Sequence, residues 1–210
     1  MSRTKPLRVH RGTSAILREP MLLETERLIL RRFRVADATF LLELVNDPAF
    51  IRFIGDRGLR TPVEAREYIR DRFLAGGATA GTGPYLVELK DTAVPIGLCS
   101  LLEREWLPDV DLGFAFLPPY RSRGYAFEAS AALMAHAFHV FGFDRLVAIT
   151  NPANEASIHL LGRLGFTFDR MIRSSDDEPE LMLFAARKAT QASAEAGASG
   201  HQDELERKST

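Results

Sequence analysis

The chain has 210 residues, 46% of them apolar and 26% charged, which suits one globular domain with a sizeable core. Its 27 basic and 28 acidic residues nearly cancel, so no chain-wide field draws it to nucleic acid or an anionic membrane. No apolar run reaches the roughly 18 residues of a membrane span, and Met1-Ser2-Arg3-Thr4-Lys5-Pro6 lacks the apolar stretch of a secretory signal, so a cytoplasmic address is expected.

Residues 1–20 carry Arg3, Lys5, Arg8, Arg11 and Arg18 against Glu19, and residues 188–210 are polar without periodicity; both read as flexible tails around a domain over residues 21–187. The domain opens with a strand, Glu26 to Phe33. Phe40, Leu41, Leu44 and Val45 then recur at helical spacing until Asn46-Asp47-Pro48 ends the pattern. Thr61-Pro62-Val63-Glu64 starts another helix: Thr61 caps it, Pro62 suits its first turn and Glu64 completes a capping box. This helix should run to Gly76-Gly77. Three apolar runs, Tyr85 to Leu89, Ile96 to Leu102 and Val110 to Phe116, predict an antiparallel meander. Its middle strand holds the single cysteine, Cys99, read as a buried, inert thiol.

A long helix over about 124–141, a strand at Arg145 to Thr150, a short helix over about 154–164 and strands at 166–172 and 180–185 complete a mixed α/β (α+β) chain. The loop before the long helix, Arg121-Ser122-Arg123-Gly124-Tyr125-Ala126, feeds a helix N-terminus whose first N–H groups lack intrahelical partners. Such an end binds phosphate readily, and Gly124 lets the backbone approach closely. Arg121 and Arg123 add charge. No Lys-Ser or Lys-Thr follows the glycine, so a diphosphate without metal fits better than a nucleoside triphosphate with magnesium.

This loop resembles motif A of the GNAT superfamily, Gln/Arg-x-x-Gly-x-Gly/Ala, with Arg121, Gly124 and Ala126 at its defining positions. Asn154 to Phe166 is similar to the family's Asn-led helix ending in Lys/Arg-x-Gly-Phe, about 30 residues further on. Leu23 to Arg31 and Asn46-Asp47-Pro48 look like the RimJ/RimL branch of ribosomal-protein alanine N-acetyltransferases. The resemblance covers about residues 21–186. It implies a central mixed, mostly antiparallel twisted sheet of about seven strands flanked by about four helices, with a V-shaped cleft between splayed central strands.

The resemblance also implies acetyl transfer from acetyl-CoA, without metal, to a primary amine: a protein N-terminus or a small, amino-acid-like acceptor. By the same carry-over the loop amides of Arg121, Ser122, Arg123, Gly124, Tyr125, Ala126 and Phe127 hold the CoA pyrophosphate. Phe116, Asn154 and Ser157 complete the donor site. Leu161 stands where many family members have a general-acid Tyr, which makes Ser157, one helical turn earlier, the candidate acid. Asp111, in Asp109-Val110-Asp111-Leu112-Gly113, is the candidate base, on the strand face it shares with Gly113 and Ala115. Glu103 and the run Asp176-Asp177-Glu178 are rival bases. His136 and His139 read as packing or surface residues rather than metal ligands, and Trp106 as a loop residue suited to the acceptor entrance. A CoA-binding protein without catalysis is the alternative, motivated by Leu161, and an RNA-binding role for the basic residues 1–20 a third. A monomer or homodimer is expected.

Overall fold

The computed structural model describes residues 23–75 and 81–189. Both expected tails and the Gly76-Gly77 helix stop lie largely or wholly outside those residues. Within them the strands are β1 (Leu23–Glu24), β2 (Leu28–Arg32), β3 (Gly83–Leu89), β4 (Pro95–Leu102), β5 (Asp111–Phe116), β6 (Arg145–Thr150), β7 (Thr167–Ile172) and β8 (Leu181–Arg187). They form a single sheet in the order β1-β2-β3-β4-β5-β6-β8-β7. All neighbours are antiparallel except β5 and β6. The helices are α1 (Ala38–Val45), α2 (Pro48–Phe53), α3 (Pro62–Tyr68), α4 (Tyr125–His139) and α5 (Glu155–Arg163). The mixed, mostly antiparallel sheet flanked by helices is the fold that the sequence predicts, with the two-residue β1 and the six-residue α2 added to it.

Local chemistry explains the helix boundaries. Thr61 accepts the Glu64 N–H while Glu64 returns a bond to the Thr61 N–H, the reciprocal capping box expected at α3. Asp47 does more than stop α1: its carboxylate accepts the N–H groups of Ala49 and Phe50 and starts α2, with Pro48 in the first turn. After Tyr68 the chain widens into a π-helical stretch, Ile69–Leu74.

Core fills both sheet faces. Leu28, Leu30, Ile96, Leu101, Leu112 and Phe116 pack beneath Ala129, Leu133 and Ala137 of α4. On the other face Leu86 and Leu117 join Phe40, Leu41 and Leu44 of α1 and Ala65 of α3. The alternation along β5 holds: Leu112, Phe114 and Phe116 face α4, and Ala115 faces α1. Gly97 of β4 is a close-packing position, because a Cβ there would fall 2.4 Å from the Phe116 ring. Cys99 is fully buried, its Sγ 3.6 Å from Ser130 Oγ, and burial pushes its thiol up to about 12, so it is unreactive while folded.

One seam in the sheet positions everything that follows. The parallel strands β5 and β6 share a single register pair, Asp111 with Val147, closed by a 3.0 Å bond from the Val147 N–H to the Val110 carbonyl. Beyond it the two strands run on without further pairing, so the sheet opens toward Phe116 and Thr150. Unpaired strand edges inside a sheet expose backbone polar groups, a cost that proteins carry where a ligand can use them.

Candidate active site

The opening between β5 and β6 leads into a cavity of about 580 Å³ that passes from the α1–α3 face of the sheet to α5. Asp111, Gly113 and Ala115 line it from β5, Ala148, Ile149 and Thr150 from β6, and Asn154, Ser157 and Leu161 from α5. The α1–α3 side contributes Phe50, Phe53, Arg57, Tyr68, Arg72 and Phe73, and the β4–β5 loop adds Arg104 and Trp106. The predicted base and acid therefore share one cavity, although they are 46 residues apart in sequence, counting from 111 to 157.

Asp111 sits at the closed end of the seam, 2% exposed. Its Oδ2 accepts Arg104 Nε at 2.7 Å, and its Oδ1 is buried without a hydrogen-bond partner. Burial raises its carboxyl above the ordinary value, against the Arg104 charge and hydrogen bond and the nearby Ile149 N–H, which pull the other way. A carboxylate with one oxygen fixed and the other bare in a cleft has capacity to take a proton.

At the start of α5, Asn154 Oδ1 accepts the Ser157 N–H at 3.1 Å, which commits that oxygen to the cap and leaves the side-chain NH₂ as the donor for a ligand. Ser157 is half-buried, one turn before Leu161, which is 1% exposed and part of the core. An aliphatic side chain there supplies no proton. Of the rival bases, Glu178 lines the cavity while Asp176 and Asp177 do not. Glu103 lies along a separate depression of about 740 Å³ with Asp109, Phe143, Arg145 and Arg187, which includes neither Ser157 nor the glycine loop. His136 packs edge-on against Phe141 at 4.7 Å, and among the described residues no group of three or more His, Cys, Asp or Glu gathers as metal ligands do. Nor, among them, is any helix long and apolar enough to cross a membrane.

The glycine loop has the backbone that its sequence requires. Ser122 and Gly124 are both left-handed, at φ +58° and +83°, and Gly124 caps α4. Arg121, Ser122, Arg123 and Gly124 are exposed where they open α4, and the first N–H groups of a helix lack intrahelical partners. The Arg121 side chain departs from the sequence reading. Its Nε donates to the Phe116 carbonyl at 2.8 Å and its guanidinium pairs with Asp47, so it braces the loop against β5 and α2 instead of adding a free charge. Phe116 likewise contributes this carbonyl, while its ring is buried in the core.

A second brace, absent from the sequence reading, joins the β1–β2 turn to α4. Glu128 accepts Thr25 Oγ1 at 2.6 Å, the Arg27 N–H at 2.9 Å and Arg27 Nε at 2.7 Å. The Arg27 guanidinium also donates to the Arg123 carbonyl and lies 4.6 Å from the centre of the Tyr125 ring. These segments thus meet physically: Asn46-Asp47-Pro48 reaches the glycine loop through the Asp47–Arg121 ion pair, and Leu23–Arg31 through the Arg27 hydrogen bond to the Arg123 carbonyl, beside its ion pair with Glu128 of α4.

Comparison with known proteins agrees with this fold. Residues 27–167 match the family described as "Acetyltransferase (GNAT) domain". The uncharacterised N-acetyltransferase YnaD of Bacillus subtilis is 26% identical over 145 residues, spanning 69% of this chain and 82% of that protein. Among solved structures, an acetyltransferase from Agrobacterium tumefaciens superposes with a TM-score of 0.68 at 26% identity, over 81% of this chain and 96% of the other. An acetyl transferase from Salmonella typhimurium, described as modifying the N-terminal serine of ribosomal protein L7/L12, shares the fold with a TM-score of 0.67 at 18% identity, over 80% of this chain and all of that one.

Proposed function

Because the chain belongs to the GNAT family of N-acetyltransferases, we propose that it transfers the acetyl group of acetyl-CoA to a primary amine by direct attack in a ternary complex. The acceptor is a protein N-terminus or a small, amino-acid-like amine, in keeping with the fold shared with the transferase described as modifying the N-terminal serine of L7/L12. The observation that carries this reading is the single cavity that joins Asp111 and Ser157 across the β5–β6 opening.

In this reading the pyrophosphate rests on the amides of Arg121 to Phe127, and the pantetheine arm runs along the unpaired edge of β6 past the side-chain NH₂ of Asn154. The acetyl carbonyl then lies at the opening, above Asp111. A neutral amine entering from the α1–α3 side attacks that carbonyl carbon. The new C–N bond forms, and the amine proton passes through water to Asp111 Oδ1, whose partner oxygen Arg104 holds. The tetrahedral intermediate collapses with cleavage of the C–S bond, and the leaving thiolate takes a proton from Ser157, directly or through water. A thiolate leaving group, with an unperturbed value near ~8.5, asks little of that acid, so replacement of Tyr by Leu161 is tolerable. Positioning in the cleft supplies much of the rate.

The domain is assigned to residues 21–187, acting in the cytoplasm as a monomer or homodimer. Leu161 favours one second reading, a CoA-binding protein that transfers nothing. Thiol release on a panel of amines and N-terminal peptides separates the two. Release dependent on acceptor supports transfer, and acetyl-CoA binding with no release from any acceptor supports the binder.

A further inference from the structure

The acceptor half of the cavity has a wall and a charge whose combination selects a chemical class. Phe50, Phe53, Tyr68 and Phe73 form an aromatic wall on the α1–α3 side, with the Phe73 ring edge-on to Tyr68 at 5.3 Å. Two arginines rise from the same side: Arg57, from the α2–α3 loop, and Arg72, from the π-helical stretch after α3. Among the described residues neither has an ion-pair partner. Asp56, beside Arg57, is already held by Arg60 at 2.5 Å. The Arg57 guanidinium lies 5.9 Å from the centre of the Phe50 ring.

The cavity's other charges do not cancel these two. Arg104 and Asp111 form an ion pair at 2.7 Å, and Glu178, in the β7–β8 connection, is a further lining carboxylate set against three lining arginines. The acceptor side is therefore aromatic and cationic. A polyamine would bring a second ammonium toward two arginines, with Glu178 the one lining carboxylate not already held by an arginine. A carboxylate brings the planar oxygen pair that guanidinium groups bind in a fork.

Resting on the acetyltransferase reading above, we infer that the acceptor is a small amine carrying a carboxylate on an apolar or aromatic body. Arg57 and Arg72 bind the carboxylate, and the aromatic wall holds the body so that the amine reaches the β5–β6 opening. Small size follows from the volume: the cavity of about 580 Å³ must also receive the acetyl end of the donor.

The test measures thiol release and its kcat/KM for phenylalanine and aminomethylbenzoate against their carboxylate-free counterparts, phenethylamine and benzylamine. Spermidine and an acidic N-terminal peptide complete the panel. Acetyl-CoA affinity is titrated in parallel. The expected result is a preference of about tenfold or more for at least one carboxylate-bearing amine over its counterpart, expressed in KM, as for a charged hydrogen-bonded contact. Arg57→Gln and Arg72→Gln should each cut that preference severalfold while acetyl-CoA still binds. Equal rates with and without the carboxylate, spermidine or the peptide as the best acceptor, or a preference untouched by both substitutions overturns the inference and leaves the acetyltransferase reading intact. Failure to bind acetyl-CoA overturns both.

Discussion

Two carboxylates, Asp111 and Glu128, show how the same functional group is set to opposite purposes by its neighbours. Asp111 is raised, chiefly by burial, so it binds its proton more tightly in the folded than in the unfolded chain. Its contribution to stability is complete below the unfolded value and is lost as pH rises through the raised native value. Denaturation of wild type and Asp111→Asn should therefore show the variant gaining relative stability across that window. In kcat/KM, Asp111→Asn should lose about a hundredfold and the acid limb with it, since a positioned base contributes on that order. A variant with a wild-type pH profile would remove Asp111 from the chemistry.

Glu128 behaves in the contrary way. Burial pushes its carboxyl up, but Thr25, the Arg27 N–H and the Arg27 guanidinium outweigh that and hold it below the ordinary value. Stability from this group is present above the unfolded value and is lost as pH falls through the lowered native one. Glu128→Gln should cost about 1 kcal/mol near neutral pH, modest because Arg27 is nearly half exposed, and the cost should shrink on acidification. Urea denaturation at several pH values measures it.

At the level of elements, local signals were legible in the sequence and distant ones were not. Thr61, Pro62 and Glu64 announce α3 because a capping box is completed within four residues. The meander is legible because β3, β4 and β5 alternate and pair in chain order. Asp47, which ends the helical pattern of α1 in the sequence, is also a beginning, since its carboxylate caps α2 and then takes Arg121, a partner 74 residues away. The Thr25–Arg27 brace on Glu128 spans about 100 residues and has no local signature. The site divides in the same way: the glycine loop lies in one stretch of sequence, whereas Tyr68, Arg72 and Phe73 become cavity wall only after the helix carrying them is placed against the sheet. The widening at Ile69–Leu74, the stretch that carries Arg72, has no local signature in the sequence.

For the whole molecule, the fold is a scaffold split along one seam, with core on both faces of the sheet holding the split in place. A ligand that fills such a seam and rests on the glycine loop binds the folded chain alone. Acetyl-CoA at a hundred times its dissociation constant should then stabilise the protein by about 2.7 kcal/mol. For a domain of this size that is roughly 5–10 °C in thermal midpoint, read by calorimetry with and without the nucleotide. The near balance of 27 basic and 28 acidic residues offers no bulk attraction to the CoA phosphates, so the proposed reading rests recognition on the loop.

Calorimetric titration of acetyl-CoA against wild type and Gly124→Asp tests that claim most directly. A side chain at Gly124 meets a left-handed backbone, φ +83°, and the Arg27 guanidinium 3.3 Å from its Cβ, and the added carboxylate puts a negative charge where the proposed reading rests the pyrophosphate. The prediction is measurable binding to the wild type and at least a hundredfold weaker binding to a variant that remains folded by circular dichroism. Equal affinity for the two would contradict the account, because the donor would then be held somewhere other than the amides that open α4.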